Sequence, residues 1–543
     1  MSRIPLYQSP QYPETFGELA DWATGRVSDP EKKVLFRMSD DDLAITYSEF
    51  RKNINRIANL LEEMGVEGGD HVATFLPNCH EYAYLFHAIG KCAAVMVPII
   101  QFVRGESLKY IINHSDTKFL ITTSMLFVDK LAGLVNHLPH LKCIIFIDEI
   151  VRIDMPIAVR LLSYQECSTE YTQKVSVSGS DIQGIWYTSG TTGLPKGVMI
   201  PHRAYLYRAF YFADYFRLNA QSVNYYVLPM YHSGYPVLGA PLIMAHGGEI
   251  VQVRWFSASA FWSDIVKYRV TLTASTGTVI PIMQKQTLSE QEVVGRDLVK
   301  VWIGWPVGEE EAVKERWPGI KFIEIYGTTE APIATVSNFE EPELGNAGPP
   351  ALYTDLRLVN PESGEDVIAA RAVGEIAYKH KLGPDYIIRE YYKEPAKTKE
   401  MIKDGYWHSG DLGMIDERGY LHFVDRLKDY VRIGGENVSS AVVEDTIRRH
   451  PAVAEVAIVG VSNELGHDEM VAHVVLKENV ALEPEAFFVF CNEQMSYFMV
   501  PRFLVLRSEL PKTGTLRIEK YKLREEGVMD AIDRVQLGIV LKK

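Results

Sequence analysis

The chain has 543 residues, 47% of them apolar, which is too many for one hydrophobic core and enough for two or more folding units. Its net charge is −14, with 56 basic against 70 acidic side chains, which argues against a general nucleic-acid or anionic-membrane binder, since both need a basic field. The five cysteines (Cys79, Cys92, Cys143, Cys167, Cys491) are widely spaced with no CxxC pair, so neither a disulfide framework nor a zinc site is expected.

In chain order, "MSRIPLYQSPQYPETF" lacks the basic start and apolar stretch of a signal peptide. "TYSEFRKNINRIANLLEEMGV" (46–66) carries apolar residues at helical spacing, and "DHVATFLPN" follows as a strand running into a turn. "EYAYLFHAIGKCAA" is helical again and "VMVPII" is a buried strand. "KFLITT", "LKCIIFID" and "GEIVQVRWF" are further short apolar runs bounded by turn residues. The longest such run, "AAVMVPII", is about half of what a bilayer span needs, so no transmembrane segment and a cytosolic location are expected. Alternating strands and helices predict an α/β protein: a large N-terminal part with mixed and parallel sheets flanked by helices. Near residue 425 the texture changes. "VDRLKDYVRIGGENVSS" (424–440) has the charged, then Gly-rich composition of a linker leading into a mobile loop, and a small mobile α+β domain is expected beyond it. The expected division is 1–424, a hinge at 425–429, and 430–543.

At 188–193, "TSGTTG" has almost nothing to bury, and it is flanked by two strand-like runs, "GIWYT" and "GVMIPH". A tight loop of this composition can turn successive backbone N–H groups into one concavity that holds an anion. The hydroxyls of Thr188, Ser189, Thr191 and Thr192 add donors, Gly190 and Gly193 keep the loop clear, and Lys196 adds a point charge. Pro195 before the lysine and Gly197 after it separate this stretch from the GxxxxGK[ST] phosphate loop. The reading is a triphosphate cradle.

"YTSGTTGLPKG" closely resembles the signature of the acyl-adenylate-forming superfamily, which includes acyl-CoA synthetases, luciferase and the adenylation domains of peptide synthetases. The resemblance runs from "TYSEF" through "LPN" and "VPI" to the lysine-rich C-terminal segment, with several separate motifs in the family's order. It implies that Tyr326 of "IYGTTE" stacks on adenine, that Thr329 touches the α-phosphate and that Glu330 holds Mg²⁺. It implies that Asp411 of "GYWHSGDLG" and Arg426 of "DRLKD" reach the ribose, with Lys428 at the hinge. His232 of "LPMYHSGYP" matches a gate between the carboxylate site and the thiol entrance, and Gly434 and Gly435 of "RIGGENVS" match the loop lining a pantetheine tunnel. Gly304, Trp305 and Gly327 fall on acyl-pocket positions. Gly327 stands where acetate-specific relatives have Trp, which implies an open pocket, whereas Trp305 replaces a small residue and would shorten it.

The chain departs from the family in "LPKTGTLRIEKYKLRE" (510–525), where Arg517 stands at the position of the lysine that bridges carboxylate and α-phosphate. Arginine keeps the charge but presents a planar fork, and Lys520 and Lys522 are the alternative cations nearby. The resemblance therefore implies an ATP-, Mg²⁺- and CoA-dependent carboxylic acid–CoA ligase with no nucleic-acid partner, for which a homodimer is allowed. Two other readings stay open: loading of a carrier-protein phosphopantetheine, and a nucleotide- or acyl-binding homologue weakened by Arg517. The ends "KYKLRE" and "AIDRVQLGIVLKK" are similar to the crotonobetaine/carnitine-CoA ligase-like branch.

Overall fold

A computed structural model describes residues 11–41, 43–152, 157–188, 195–276, 279–304, 310–331, 333–427, 430–433, 436–462, 468–512 and 518–541. The chain divides into two units, Met1–Leu356 with Tyr378–Trp407, and Arg357–Ala377 with His408–Lys543.

Among the described residues the first unit carries two large sheets. One has the order Glu390–Tyr391, Lys196–Pro201, Ile182–Thr188, Val95–Pro98, His71–Phe75, Phe119–Thr122, Cys143–Phe146, Ala158–Leu161. Its pairings are parallel from Ile182–Thr188 onward to Ala158–Leu161, while Lys196–Pro201 pairs antiparallel with both Ile182–Thr188 and Glu390–Tyr391. The other runs Lys321–Ile323, Val301–Ile303, Leu272–Ala274, Val223–Tyr226, Glu249–Gln252, Val34–Met38, Ala44–Thr46, parallel except for its last pair. The central strands read as unbroken apolar runs because helices cover both faces of a parallel sheet. Cys143–Phe146, buried at every position, is one such strand.

The predicted helix at 46–66 is Tyr47–Glu63. The Thr46 hydroxyl at its N-cap accepts from the Glu49 backbone N–H, the cap that the T-x-x-E spacing favours. The strand predicted at "DHVATF" is His71–Phe75, and its carboxyl end feeds "LPN". The next two strands of the sheet in sequence, Val95–Pro98 and Phe119–Thr122, pair on opposite sides of it, and open α/β sheets place their ligands outside the carboxyl ends of strands at such switch points.

In the second unit Val453–Ser462 and Asp468–Leu476 pair antiparallel, and Phe503–Arg507 joins parallel to the latter. The helices Ser440–Arg448 and Pro484–Gln494 supply Val443, Ile447, Phe487 and Phe488 to one core with Ile458 and Ala472. The linker-like reading of 424–440 is corrected here. Residues 424–426 complete the strand Leu421–Arg426, and Tyr430–Ile433 pairs antiparallel with Glu436–Ser439. Composition suggested a solvated segment, but Val431 and Val438 face each other across the hairpin and are buried in the core of this unit. Lys428, Gly434 and Gly435 lie outside the described residues.

Candidate active site

The two runs flanking the hydroxyl-rich loop are strands paired with each other. Ile182–Thr188 and Lys196–Pro201 run antiparallel with Thr188 opposite Lys196, so the loop joins the ends of a hairpin. Thr188 and Lys196 are both partly exposed; Ser189, Gly190, Thr191, Thr192 and Gly193 lie outside the described residues. The helix His202–Tyr215 follows directly, and its Tyr205 hydroxyl donates to the backbone carbonyl of Thr329 at 3.1 Å. The loop's exit strand and "YGTTE" are therefore braced by one tyrosine. Thr329 is tied a second time, its hydroxyl 3.0 Å from that of Ser233 in "LPMYHSGYP". Three sequence motifs thus meet at Thr329.

Glu330 is held from a direction the sequence reading did not identify. The two-residue strand Glu390–Tyr391 adds to the outer edge of the hairpin, with Tyr391 opposite Val198. The backbone N–H of Ile388 donates to the Glu330 carbonyl at 2.9 Å, and the Tyr391 hydroxyl donates to Glu330 Oε1 at 2.8 Å. Burial, followed by the neighbouring Glu330 charge, raises the Tyr391 phenol, so it remains a donor at any physiological pH. The same ring lies 5.4 Å from Lys196 Nζ, a cation–π spacing. The Lys196 ammonium is pushed down to about 8, first by burial and next by the Lys397 ammonium, with Glu394 and Glu330 opposing.

Glu330 fits a hard cation. One carboxylate oxygen is fixed by Tyr391, and the side chain is only partly buried. Among the described residues no group of three or more His, Cys, Asp or Glu side chains could hold a metal, so an ion here would take one carboxylate and fill its other positions with phosphate oxygens and water. That donor set suits Mg²⁺.

Tyr326 is 4% exposed, with its ring set edge-on to Tyr378 at 6.4 Å. The Tyr378 hydroxyl lies 3.1 Å from that of Thr328, which in turn accepts from the Ala331 N–H. A Cβ on Gly327 would sit 2.2 Å from the Ile333 backbone nitrogen, so the chain itself takes the space beside this glycine. Gly304, just past the strand Val301–Ile303, packs so that a Cβ would meet Ser275 Oγ at 2.9 Å. Trp305 lies outside the described residues.

His232 is exposed, and its Nδ1 accepts from the Gly234 N–H at 3.0 Å, which leaves the proton of the neutral ring on Nε2. Its segment is pinned from below by two buried amides. Asn78 donates to the carbonyls of Leu228 and Val253 and accepts from the Met230 N–H at 2.8 Å, while Gln252 donates to Tyr226, Leu228 and Val253. Asn78 belongs to "LPN", a motif visible in the sequence whose task was not.

Asp411 and Arg426 belong to the second unit, where they are register partners on adjacent strands with Arg426 Nε 3.7 Å from Asp411 Oδ1. Arg517 lies outside the described residues. The two lysines near it in sequence are already engaged: Lys520 Nζ is 2.7 Å from the buried Glu444 carboxylate and 2.6 Å from Ser440 Oγ, and Lys522 pairs with Glu519.

Thr188 and Lys196 thus stand opposite each other at the ends of the hairpin, with Lys196 beside the tyrosine that orients the Glu330 carboxylate. The AMP-binding enzyme model matches residues 24–392 and the AMP-binding enzyme C-terminal domain model matches 442–516, so the chain belongs to the AMP-binding enzyme family. It is 30% identical over 488 residues to a crotonobetaine/carnitine–CoA ligase of Escherichia coli, covering 88% of this chain and 93% of that one. It is likewise 30% identical over 493 residues to the ligase of that name from Salmonella paratyphi A, with the same shares covered. The fold matches that of an anthranilate CoA ligase in complex with anthranoyl-AMP (TM-score 0.83, 22% identity, covering 98% of this chain and 99% of that chain). It also matches ATP-bound MatB from Rhodopseudomonas palustris (TM-score 0.81, 23% identity, 94% and 98% covered). Among the described residues no helix is long and apolar enough to cross a membrane.

Proposed function

We propose that this protein is an AMP-forming carboxylic acid–CoA ligase working in two half-reactions. In the first, a substrate carboxylate oxygen attacks the α-phosphorus of ATP, the bond from that phosphorus to the bridging oxygen breaks, and pyrophosphate leaves with the electron pair. In the second, the thiolate of CoA attacks the acyl carbon of the resulting adenylate, the bond from that carbon to the oxygen bridging it to phosphorus breaks, and AMP leaves with the electron pair. The observation that carries this reading is the convergence of Lys196, Thr329 and the Tyr391-oriented Glu330 at the mouth of the hydroxyl-rich hairpin.

Negative charge grows on the phosphate oxygens during the first step, and groups already in place stabilise it without reorganising. Lys196 supplies a cation, the Thr329 hydroxyl a donor, and Glu330 the position for a Mg²⁺ ion that would neutralise charge on the nucleotide's phosphates. The protein needs no covalent nucleophile for this chemistry. Arg517 takes the position of the bridging cation. Asp411 and Arg426 serve the ribose, His232 the passage to the thiol, and Gly434 and Gly435 the pantetheine path, with the C-terminal domain turning about Lys428 between the two steps. Carnitine and crotonobetaine, the acids in the relatives' names, head the panel of substrates to try.

The test separates the half-reactions. Lys428→Pro is expected to retain acid-dependent ATP–pyrophosphate exchange and lose thioester formation, and equal loss of both refutes the hinge. Free CoA as acceptor is expected to give a thioester, whereas exchange without thioester in the wild type points to a carrier-protein acceptor. Arg517 gives one observation in favour of a weakened homologue; activity that emerges only in Arg517→Lys decides for that reading.

A further inference from the structure

Asp411, the ribose residue of the adenylation reading, follows a kink in the strand Tyr406–Ile415. Gly410 there has φ +71°, a left-handed conformation within a strand that glycine adopts readily. The Ser409 hydroxyl donates to the Ile376 carbonyl at 2.7 Å and accepts from the Asp411 N–H at 3.1 Å. The adjacent strand, Val373–His380, brings the buried carboxylate of Glu375 to the same kink. Glu375 Oε1 accepts from the Gly410 N–H at 3.1 Å and Oε2 from His408 Nδ1 at 2.8 Å, so each oxygen holds one end of it. An ionised carboxylate only accepts, which puts the His408 ring proton on Nδ1. The other ring nitrogen, Nε2, is buried with no hydrogen-bond partner among the described residues. Glu375, His408, Gly410 and Asp411 all belong to the second unit.

A buried carboxylate set against a buried histidine is a poor way to stabilise a sheet, since an apolar pair of the same volume avoids desolvating both groups. Here it also leaves a ring nitrogen unpaired, which costs more. What the pair supplies is direction. It fixes His408 and Gly410 so that the kink has one geometry, and the next residue along the strand is Asp411. Asp411 Oδ1 is 3.7 Å from Arg426 Nε on the neighbouring strand, so a shift of the kink also disturbs that pair. A carboxylate that accepts from two vicinal hydroxyls at once has to be aimed, and supports built into strands aim a side chain more closely than loops do. Resting on the adenylation reading, in which Asp411 serves the ribose, we propose that Glu375 is a positioning residue: with His408 it holds the Gly410 kink so that the Asp411 carboxylate meets the 2′- and 3′-hydroxyls of ATP.

The readout is the preference for ATP over 2′,3′-dideoxy-ATP, taken from kcat/KM for acid-dependent pyrophosphate release. Wild type is expected to favour ATP by about 10- to 100-fold, and Asp411→Ala to abolish that preference. Glu375→Leu should lose most of it through a lower kcat/KM for ATP, with the dideoxy analogue turned over as in wild type. Glu375→Gln, whose amide oxygen still accepts from the Gly410 N–H and whose NH₂ donates to the other ring tautomer, should keep most of it. Glu375→Asp, too short to meet both donors, should lose part of it and carries the test where Glu375→Leu does not fold. Loss of the preference in Asp411→Ala, with the full preference kept in Glu375→Leu or Glu375→Asp, would overturn the proposal. So would equal losses for both nucleotides in the Glu375 variants, since those mark a structural role. A preference that survives Asp411→Ala refutes the ribose reading itself, and the positioning role goes with it.

Discussion

Tyr391→Phe removes one oxygen and little else. The ring is buried and packs edge-on to Trp407 at 5.7 Å, so phenylalanine should occupy the same space with unchanged folding. What disappears is the 2.8 Å hydrogen bond to Glu330 Oε1. A hydrogen bond to a charged group contributes about 1.5–3 kcal/mol net. Glu330 is partly exposed, so water takes the vacated place and the lower end applies, about tenfold in an equilibrium or rate constant. Because the hydroxyl orients the carboxylate proposed for Mg²⁺, the loss should fall on metal dependence, as it does for residues that position a ligand from behind. ATP–pyrophosphate exchange titrated with Mg²⁺ should show half-activation at about tenfold higher metal, with KM for the acid unchanged. Identical Mg²⁺ curves for variant and wild type would refute the assignment of Tyr391 and, with it, the metal role of Glu330.

Lys196 carries its useful charge only below its pKa, which lies at about 8 instead of the ordinary ~10.4, so kcat/KM for ATP should fall as pH rises through about 8. Saturating ATP should move that fall to higher pH, because a bound anion favours the cation. Glu324 is fully buried and accepts from the Gly345 N–H at 2.6 Å, and burial, with Glu310 adding, pushes its carboxyl up to about 8. The folded protein thus keeps a proton that the unfolded chain releases above about 4.3, and stability declines as pH rises from there to about 8. Glu324→Gln should therefore raise the melting temperature at pH 8 relative to wild type and leave it nearly unchanged at pH 5; the reverse order counts against the protonated carboxyl. Gly327→Ala places a methyl 2.2 Å from the Ile333 nitrogen and should lower both melting temperature and nucleotide affinity, at a cost of about 1–3 kcal/mol in stability. A neutral Gly327→Ala would show that this turn gives way freely.

The parts of the candidate site readable from sequence are those written as contiguous words: Lys196 at the end of the hydroxyl-rich stretch, "YGTTE", and the histidine of "LPMYHSGYP". The long periodic elements were equally legible, because a 17-residue helix with a T-x-x-E cap states its boundaries. Tyr391, Asn78 and Gln252 were not, because each acts across a separation that only tertiary pairing closes. Tyr391 meets Glu330 from 61 residues away, and Asn78 meets Met230 from 152. A two-residue strand such as Glu390–Tyr391 has no periodicity to detect. The stretch at 424–440 misled in the opposite direction: its charges and glycines suggested a linker, while Val431 and Val438, opposite each other on the hairpin, are buried in the core of the second unit.

The direct route to the central step is isotopic. A carboxylic acid labelled with ¹⁸O in its carboxylate, turned over with ATP, Mg²⁺ and CoA, is predicted to yield AMP carrying one ¹⁸O, with unlabelled pyrophosphate. Label in inorganic phosphate or pyrophosphate, or turnover that leaves AMP unlabelled, would contradict attack of the carboxylate on the α-phosphorus.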